Sequence, residues 1–216
     1  MKDVKACLFD LDGVIVDTAK YHYLAWKRLA EELGFEFTKE QNERLKGVSR
    51  MKSLDILLEI GGLSFDDKTK EKLAEKKNNW YVEYISKMDS SEILPGVISF
   101  LNSLKENNIK IALGSVSKNS KLILEKTGIT HYFDAIIDGT KITHAKPNPE
   151  VFLKGAQELN IDPKYCVVFE DAQAGIEAAI NAGMHSIGVG SPEILNKADL
   201  VIPSFEDMTI EKLWLV

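Results

Sequence analysis

A rhythm of short apolar runs constrains this chain more than any other feature. They fall at Val4–Phe9, 109–115 (IKIALGS), 165–171 (YCVVFED), 185–190 (HSIGVG) and 198–203 (ADLVIP). Runs of this kind suit strands buried on both faces. Helical stretches lie between the later runs: 96–108, 119–128 with Gly128 as a stop, 148–160 with Pro149 near its start, and 172–183 ending at Gly183. Strands alternating with helices predict an α/β protein whose parallel sheet is covered on both faces.

One section breaks the rhythm. From Thr18 to Ser90 helix follows helix: 19–33 up to Gly34, 39–46, 50–60 before Gly61-Gly62, and 66–88. No strand-like run interrupts them. The expected organisation is therefore a helical domain, 18–90, inserted into an α/β domain made of 1–17 and 91–216. Lys and Arg nearly balance Asp and Glu in the helical section, so the net charge of −6 sits in the α/β part. An acidic balance argues against a general nucleic-acid binder. No run is long enough to span a membrane, and the apolar run after Lys5 is cut short by Asp10, unlike a secretory signal. The expectation is a cytoplasmic protein with no nucleic-acid or membrane partner. Cys7 and Cys166 lie inside apolar runs and are expected to be small buried hydrophobes rather than a disulfide or metal pair.

The runs end in chemistry. Asp10 and Asp12 close the first, Ser115 the second, Glu170 and Asp171 the third. Ligands of parallel α/β sheets gather at the carboxyl ends of strands. Carboxylates brought together there repel one another and need a cation when ionised. An all-oxygen donor set suits Mg2+, which binds through a few carboxylates plus a phosphate. Lys146, in HAKPNPE, precedes the third run and adds a positive charge to the same edge. Each piece has a plainer account alone: Asp12-Gly13 as a turn, Glu170-Asp171 as a helix start, Lys146 as a solvated side chain. Their ordered placement at strand ends favours a functional site.

DLDGVIVDT, Ser115, Lys146 and EDAQAG resemble the four motifs of the haloacid dehalogenase-like superfamily, and the helical section resembles its cap. The resemblance implies a Rossmann-like core with an inserted helical cap domain. It implies that Asp10 is a nucleophile forming an aspartyl phosphate and that Asp12 is the general acid and base. It places Mg2+ on Asp10, the Asp12 backbone carbonyl, Asp171 and Glu170, the last directly or through water. Ser115 and Lys146 would hold the phosphoryl oxygens, and Thr18 would mark the hinge.

The acceptor has to be read elsewhere. YHYLAW at 21–26, LKGVSR at 45–50, SVSKN at 115–119 and EKKNNWY at 75–81 resemble the superfamily's sugar phosphomutases, nearly end to end. A mutase must grip a second phosphate. The resemblance assigns that grip to Lys46, Gly47, Val48, Ser49 and Arg50 in the cap and to Ser117, Lys118 and Asn119 in the core. Arg50 is a bidentate phosphate binder beside backbone N–H groups. His22 and Trp26 share a helical face; they contact the sugar by resemblance, or else are a polar hinge residue and cap core. Between Lys76 and Lys77 the resemblance favours Lys77. Gly114 and Val116 stand where it leads one to expect alanines. The implied activity is interconversion of β-glucose 1-phosphate and glucose 6-phosphate through a bisphosphate. A sugar-phosphate phosphatase on the same scaffold is the alternative, and a non-catalytic sensor a remoter one. The implied partner is a small sugar phosphate, and the implied state a monomer.

Overall fold

The computed structural model describes residues 3–45 and 48–216. Its centre is a parallel sheet of β1 (Ala6–Phe9), β2 (Lys110–Gly114), β3 (Ala135–Ile137), β4 (Cys166–Glu170), β5 (His185–Val189) and β6 (Leu200–Ile202), in the order β3-β2-β1-β4-β5-β6. Ala6 pairs with Lys110 on one side and Cys166 on the other, which makes β1 a central strand. The apolar runs located every strand but β3. That strand has three residues, sits at the sheet edge and leaves Ile136 half-buried. Only its pairing with Ala112–Gly114 distinguishes it from a loop.

Between β1 and β2 lie α1 (Ala19–Glu32), α2 (Lys39–Asn42), α3 (Arg50–Ile60) and α4 (Asp67–Ile85). The sequence supplies their starts. Thr38 and Gln41 form a reciprocal capping box, Ser49 accepts the Lys52 N–H, and Asp66 accepts the Thr69 N–H at 2.7 Å. The helix expected over 39–46 ends at Asn42 and passes into a 3-10 turn, Glu43–Leu45; that expected over 66–88 stops at Ile85. Trp26, Leu29, Leu54 and Leu57 of these helices, with Phe37 from the α1–α2 connection, form a hydrophobic cluster of their own. The chain enters and leaves this section side by side: Val16 pairs antiparallel with Ile93, and the Asp17 N–H donates to the Glu92 carbonyl at 3.0 Å.

The remaining helices are α5 (Val97–Glu106), α6 (Ser120–Thr127), α7 (Glu150–Leu159), α8 (Gln173–Asn181) and the short, unanticipated α9 (Ile210–Leu213). Strand alternation sends Cys7 and Phe9 to the face covered by α5, α6 and α9, and Ala6 and Leu8 to the face covered by α7 and α8. Phe9 stacks on Phe169 with centroids 4.7 Å apart, and Phe100 and Phe205 close around them. Burying each ring contributes about 1.5–3 kcal/mol, anchoring the two strands whose ends carry the acids. Cys7 and Cys166 are buried and free, as expected. Among the described residues no helix is long and apolar enough to cross a membrane.

Candidate active site

The end of β1 meets the end of β4. The Asp10 N–H donates to the Phe169 carbonyl at 3.0 Å, so Asp10 leaves the sheet level with Glu170. Carboxylate oxygens of Asp10, Glu170 and Asp171 lie within 4.8 Å of one another. Two glycines make this approach possible. At Gly13, with φ of +81°, a Cβ would stand 2.2 Å from an Asp171 oxygen. At Gly175, in the first turn of α8, a Cβ would meet the Glu170 carboxyl carbon at 1.9 Å. Glu170 is thereby seated on the helix start, where it accepts the Ala172 N–H at 3.1 Å.

Lys146 answers the acids. Its buried ammonium donates to Asp10 Oδ1 at 2.6 Å and also to Glu170 Oε1. Burial opposes the lysine's charge, but Asp10 and Glu170 outweigh it and hold its pKa above the ordinary value. Burial likewise pushes the Glu170 carboxyl up, against the pull of Lys146. The lysine lies over the Phe152 ring, 4.8 Å from its centroid. Gly114 makes room for that ring, since a Cβ there would approach it to 2.7 Å. The glycine that departs from the expected alanine therefore has a packing reason.

Asp12 points elsewhere. The Thr18 hydroxyl donates to its Oδ1, which leaves Thr18, the N-cap of α1, without a capping bond of its own. Burial, then the neighbouring Asp10, raises the Asp12 carboxyl to about 6. His22 Nε2 lies 3.9 Å from it, too far for a hydrogen bond. Burial first, then Lys77 and Arg50, lowers the His22 pKa well below its ordinary value. Lys77 Nζ lies within hydrogen-bond distance of His22 Nδ1, at 3.0 Å, while Nε2 is the ring nitrogen facing Asp12. Tyr81 packs under the ring with centroids 4.0 Å apart, its buried hydroxyl without a hydrogen-bond partner among the described residues.

A cavity of about 560 Å³ separates these acids from the helical section. Asp10, Asp12, Lys146, Glu170 and Asp171 line its floor, joined by Ser117, Lys118 and Asn119 from the loop after β2. The opposite wall carries His22, Trp26, Val48, Ser49, Arg50 and Lys77. Trp26 belongs at once to this wall and to the helical section's hydrophobic cluster, and Lys77 lies 4.5 Å over its ring. Lys77 is buried, whereas Lys76 swings outward to pair with Glu32. Ser115 sits one layer deeper, its hydroxyl accepting the Ser117 N–H at 3.1 Å. Lys46 and Gly47 lie outside the described residues.

Sequence reasoning missed Asn42, Ser53 and Asn78, which also line the cavity. Ser53 follows Arg50 by three positions and Asn78 adjoins Lys77, so helical spacing could have found the first and adjacency the second. Asn42 offers no such signal. Asn78 matters most, because it accepts the Asn119 side-chain N–H at 3.0 Å across the cavity mouth.

A parallel sheet whose central strand ends in Asp-Leu-Asp-Gly, followed at once by a helical insertion, defines the haloacid dehalogenase-like class. The chain belongs to that family: the model of haloacid dehalogenase-like hydrolases matches residues 7–189. It is 44% identical to the β-phosphoglucomutase of Bacillus subtilis, over 97% of this chain and 94% of that one. The crystal structure of β-phosphoglucomutase from Clostridium difficile superposes with a TM-score of 0.93 at 48% identity, covering 98% of this chain and 96% of that one. A phosphorylated carbohydrates phosphatase of Thermotoga maritima is 32% identical over 85% of this chain and 84% of its own. The resemblance carried by the strand-end motifs therefore holds for the fold and the family.

Proposed function

We propose that the protein interconverts β-glucose 1-phosphate and glucose 6-phosphate through an aspartyl-phosphate enzyme and β-glucose 1,6-bisphosphate. The observation that carries this reading is the two-sided charge of the cavity. The acids and Lys146 form the floor, where Lys118 also lies; on the opposite wall, which Glu71 and Glu75 also line, Arg50 and Lys77 join Lys118 in offering cationic groups to a second phosphate. The two β-phosphoglucomutase relatives support the choice of sugar.

In this reading Asp10 attacks phosphorus. The bond from phosphorus to the sugar oxygen breaks as the bond to Asp10 forms, and Asp12 donates its proton to the departing oxygen. In return, Asp12 takes the proton of the other hydroxyl as that oxygen attacks the phosphoryl group, restoring free Asp10. A carboxyl raised to about 6 can serve in both directions near neutrality. Lys146 and the Ser115 region stabilise the transferring oxygens. The donor set fits Mg2+: Asp10, Glu170 and Asp171 are hard oxygen ligands within reach of one ion, with Gly13 making room for the third. Bound there, the ion would neutralise charge on the transferring group. Residues 18–90 act as a cap over a core of 1–17 and 91–216, and closure excludes water so that the aspartyl phosphate waits for a sugar hydroxyl.

Incubation with Mg2+, β-glucose 1-phosphate and a catalytic quantity of bisphosphate should yield glucose 6-phosphate. Arg50→Ala should slow this conversion far more than hydrolysis of a small phosphate monoester. Release of inorganic phosphate without glucose 6-phosphate would instead establish a sugar-phosphate phosphatase, the reading favoured by the Thermotoga relative.

A further inference from the structure

Lys146 reaches Asp10 from a loop with little structure of its own. Between β3 and α7 the backbone closes on itself only at its ends, where the Lys141 N–H donates to the Asp138 carbonyl and the Asn148 N–H to the Ala145 carbonyl. Side chains of α7 hold the stretch between. Glu150, the first residue of the helix, accepts the Thr143 N–H at 3.0 Å and the His144 N–H at 2.8 Å on one oxygen, Oε2. Its other oxygen accepts from Lys154 Nζ at 2.7 Å, and the same ammonium donates to the Lys141 carbonyl at 2.6 Å. Without Glu150, these two backbone donors beside the cavity wall lose their partner.

We propose that Glu150 is a positioning residue for phosphoryl transfer: it latches the 141–146 loop to α7 so that Lys146 is delivered to Asp10. Helix α7 then fixes the lysine at both ends. Glu150 holds the backbone two residues upstream, and Phe152 supports the ammonium from below. The latch is charge-assisted. Lys154 and then the His144 N–H hold the Glu150 carboxyl down at about 2, so it stays ionised at any working pH. Its place in the first turn of α7 also sets the carboxylate against the positive end of the helix dipole. The inference rests on the phosphoryl-transfer reading of Asp10 and Lys146.

The test pairs turnover with amide exchange in Glu150→Ala and Glu150→Gln. In the alanine variant kcat should fall at least about tenfold, the scale of effect expected when a catalytic group is displaced by a fraction of an ångström. KM should stay within about twofold, because the second phosphate is gripped elsewhere. Exchange at Thr143 and His144 should quicken while the sheet stays protected. Glutamine keeps a carbonyl oxygen for the two N–H groups and should recover most of kcat. Parental kcat in the alanine variant, or equal losses in both variants, would overturn the proposal. Should the parent protein turn over no sugar phosphate, the functional reading fails by itself. Exchange still judges the latch, and unchanged exchange at Thr143 and His144 would overturn it.

Discussion

Lys77 shows what a single position is asked to tolerate. Burial, then the charge of Arg50, brings its pKa down from 10.5 to about 7. Between those two values the unfolded chain binds the proton more tightly, so this residue makes stability rise with pH from about 7 to 10.5. Lys77→Met should therefore stabilise the free protein by up to a few kcal/mol at pH 6. The advantage should shrink towards pH 10 as the parent lysine loses its proton, and urea unfolding across that range measures the difference. A difference independent of pH would refute the buried-cation account. The family resemblance alone favoured Lys77 in the lysine pair, and the structure now sets it with Ala74, Tyr81 and Ile85 on the buried stripe of α4. The direction taken by Asp12 could not be read from the sequence. A carboxylate one residue from another gives no sign that it turns to Thr18, a contact made only once α1 is docked.

At the scale of elements, the start of α8 is shaped by what it must not contain. Alanine at a helical glycine normally gains about 0.5–1 kcal/mol. In Gly175→Ala the new methyl would occupy the space of the Glu170 carboxyl. We expect no gain in thermal stability and a loss of at least about tenfold in Mg2+ affinity, read by titrating activity with Mg2+. An unchanged titration would show that Glu170 can yield without consequence. The helices and the long strands were legible because each buries enough apolar surface to leave a periodic signature. β3 was not: three residues carry little pattern, and although the equally short edge strand β6 was found, β3 takes its form from pairing with Ala112–Gly114. The same limit hid α9, which spans a single turn.

At the scale of the whole molecule, the helical section is tied to the sheet domain at several places: Thr18 to Asp12, Lys20 and Tyr21 to Glu92, and Asn78 to Asn119 across the cavity. Asn78→Ala should weaken the last of these and leave the others in place. Water would then compete for the aspartyl phosphate, and the ratio of inorganic phosphate to sugar phosphate formed should rise several-fold. An unaltered ratio would mean that the contact does not govern access. The strand-end acids were legible from the run pattern, whereas the Asn78 contact joins residues with no local pattern in common. The central place of β1 bears finally on the order in which the protein is made. Residues 6–9 cannot be flanked on both sides until the ribosome has passed β4, which ends at Glu170. The helices of 19–85 share a cluster made from near neighbours in the chain and can begin to form before that, although Ala25, Tyr81 and Ile85 await the sheet domain's core. A nascent chain can therefore build much of its helical section before the carboxylates of Asp10, Glu170 and Asp171 can converge, which waits until most of the chain is made.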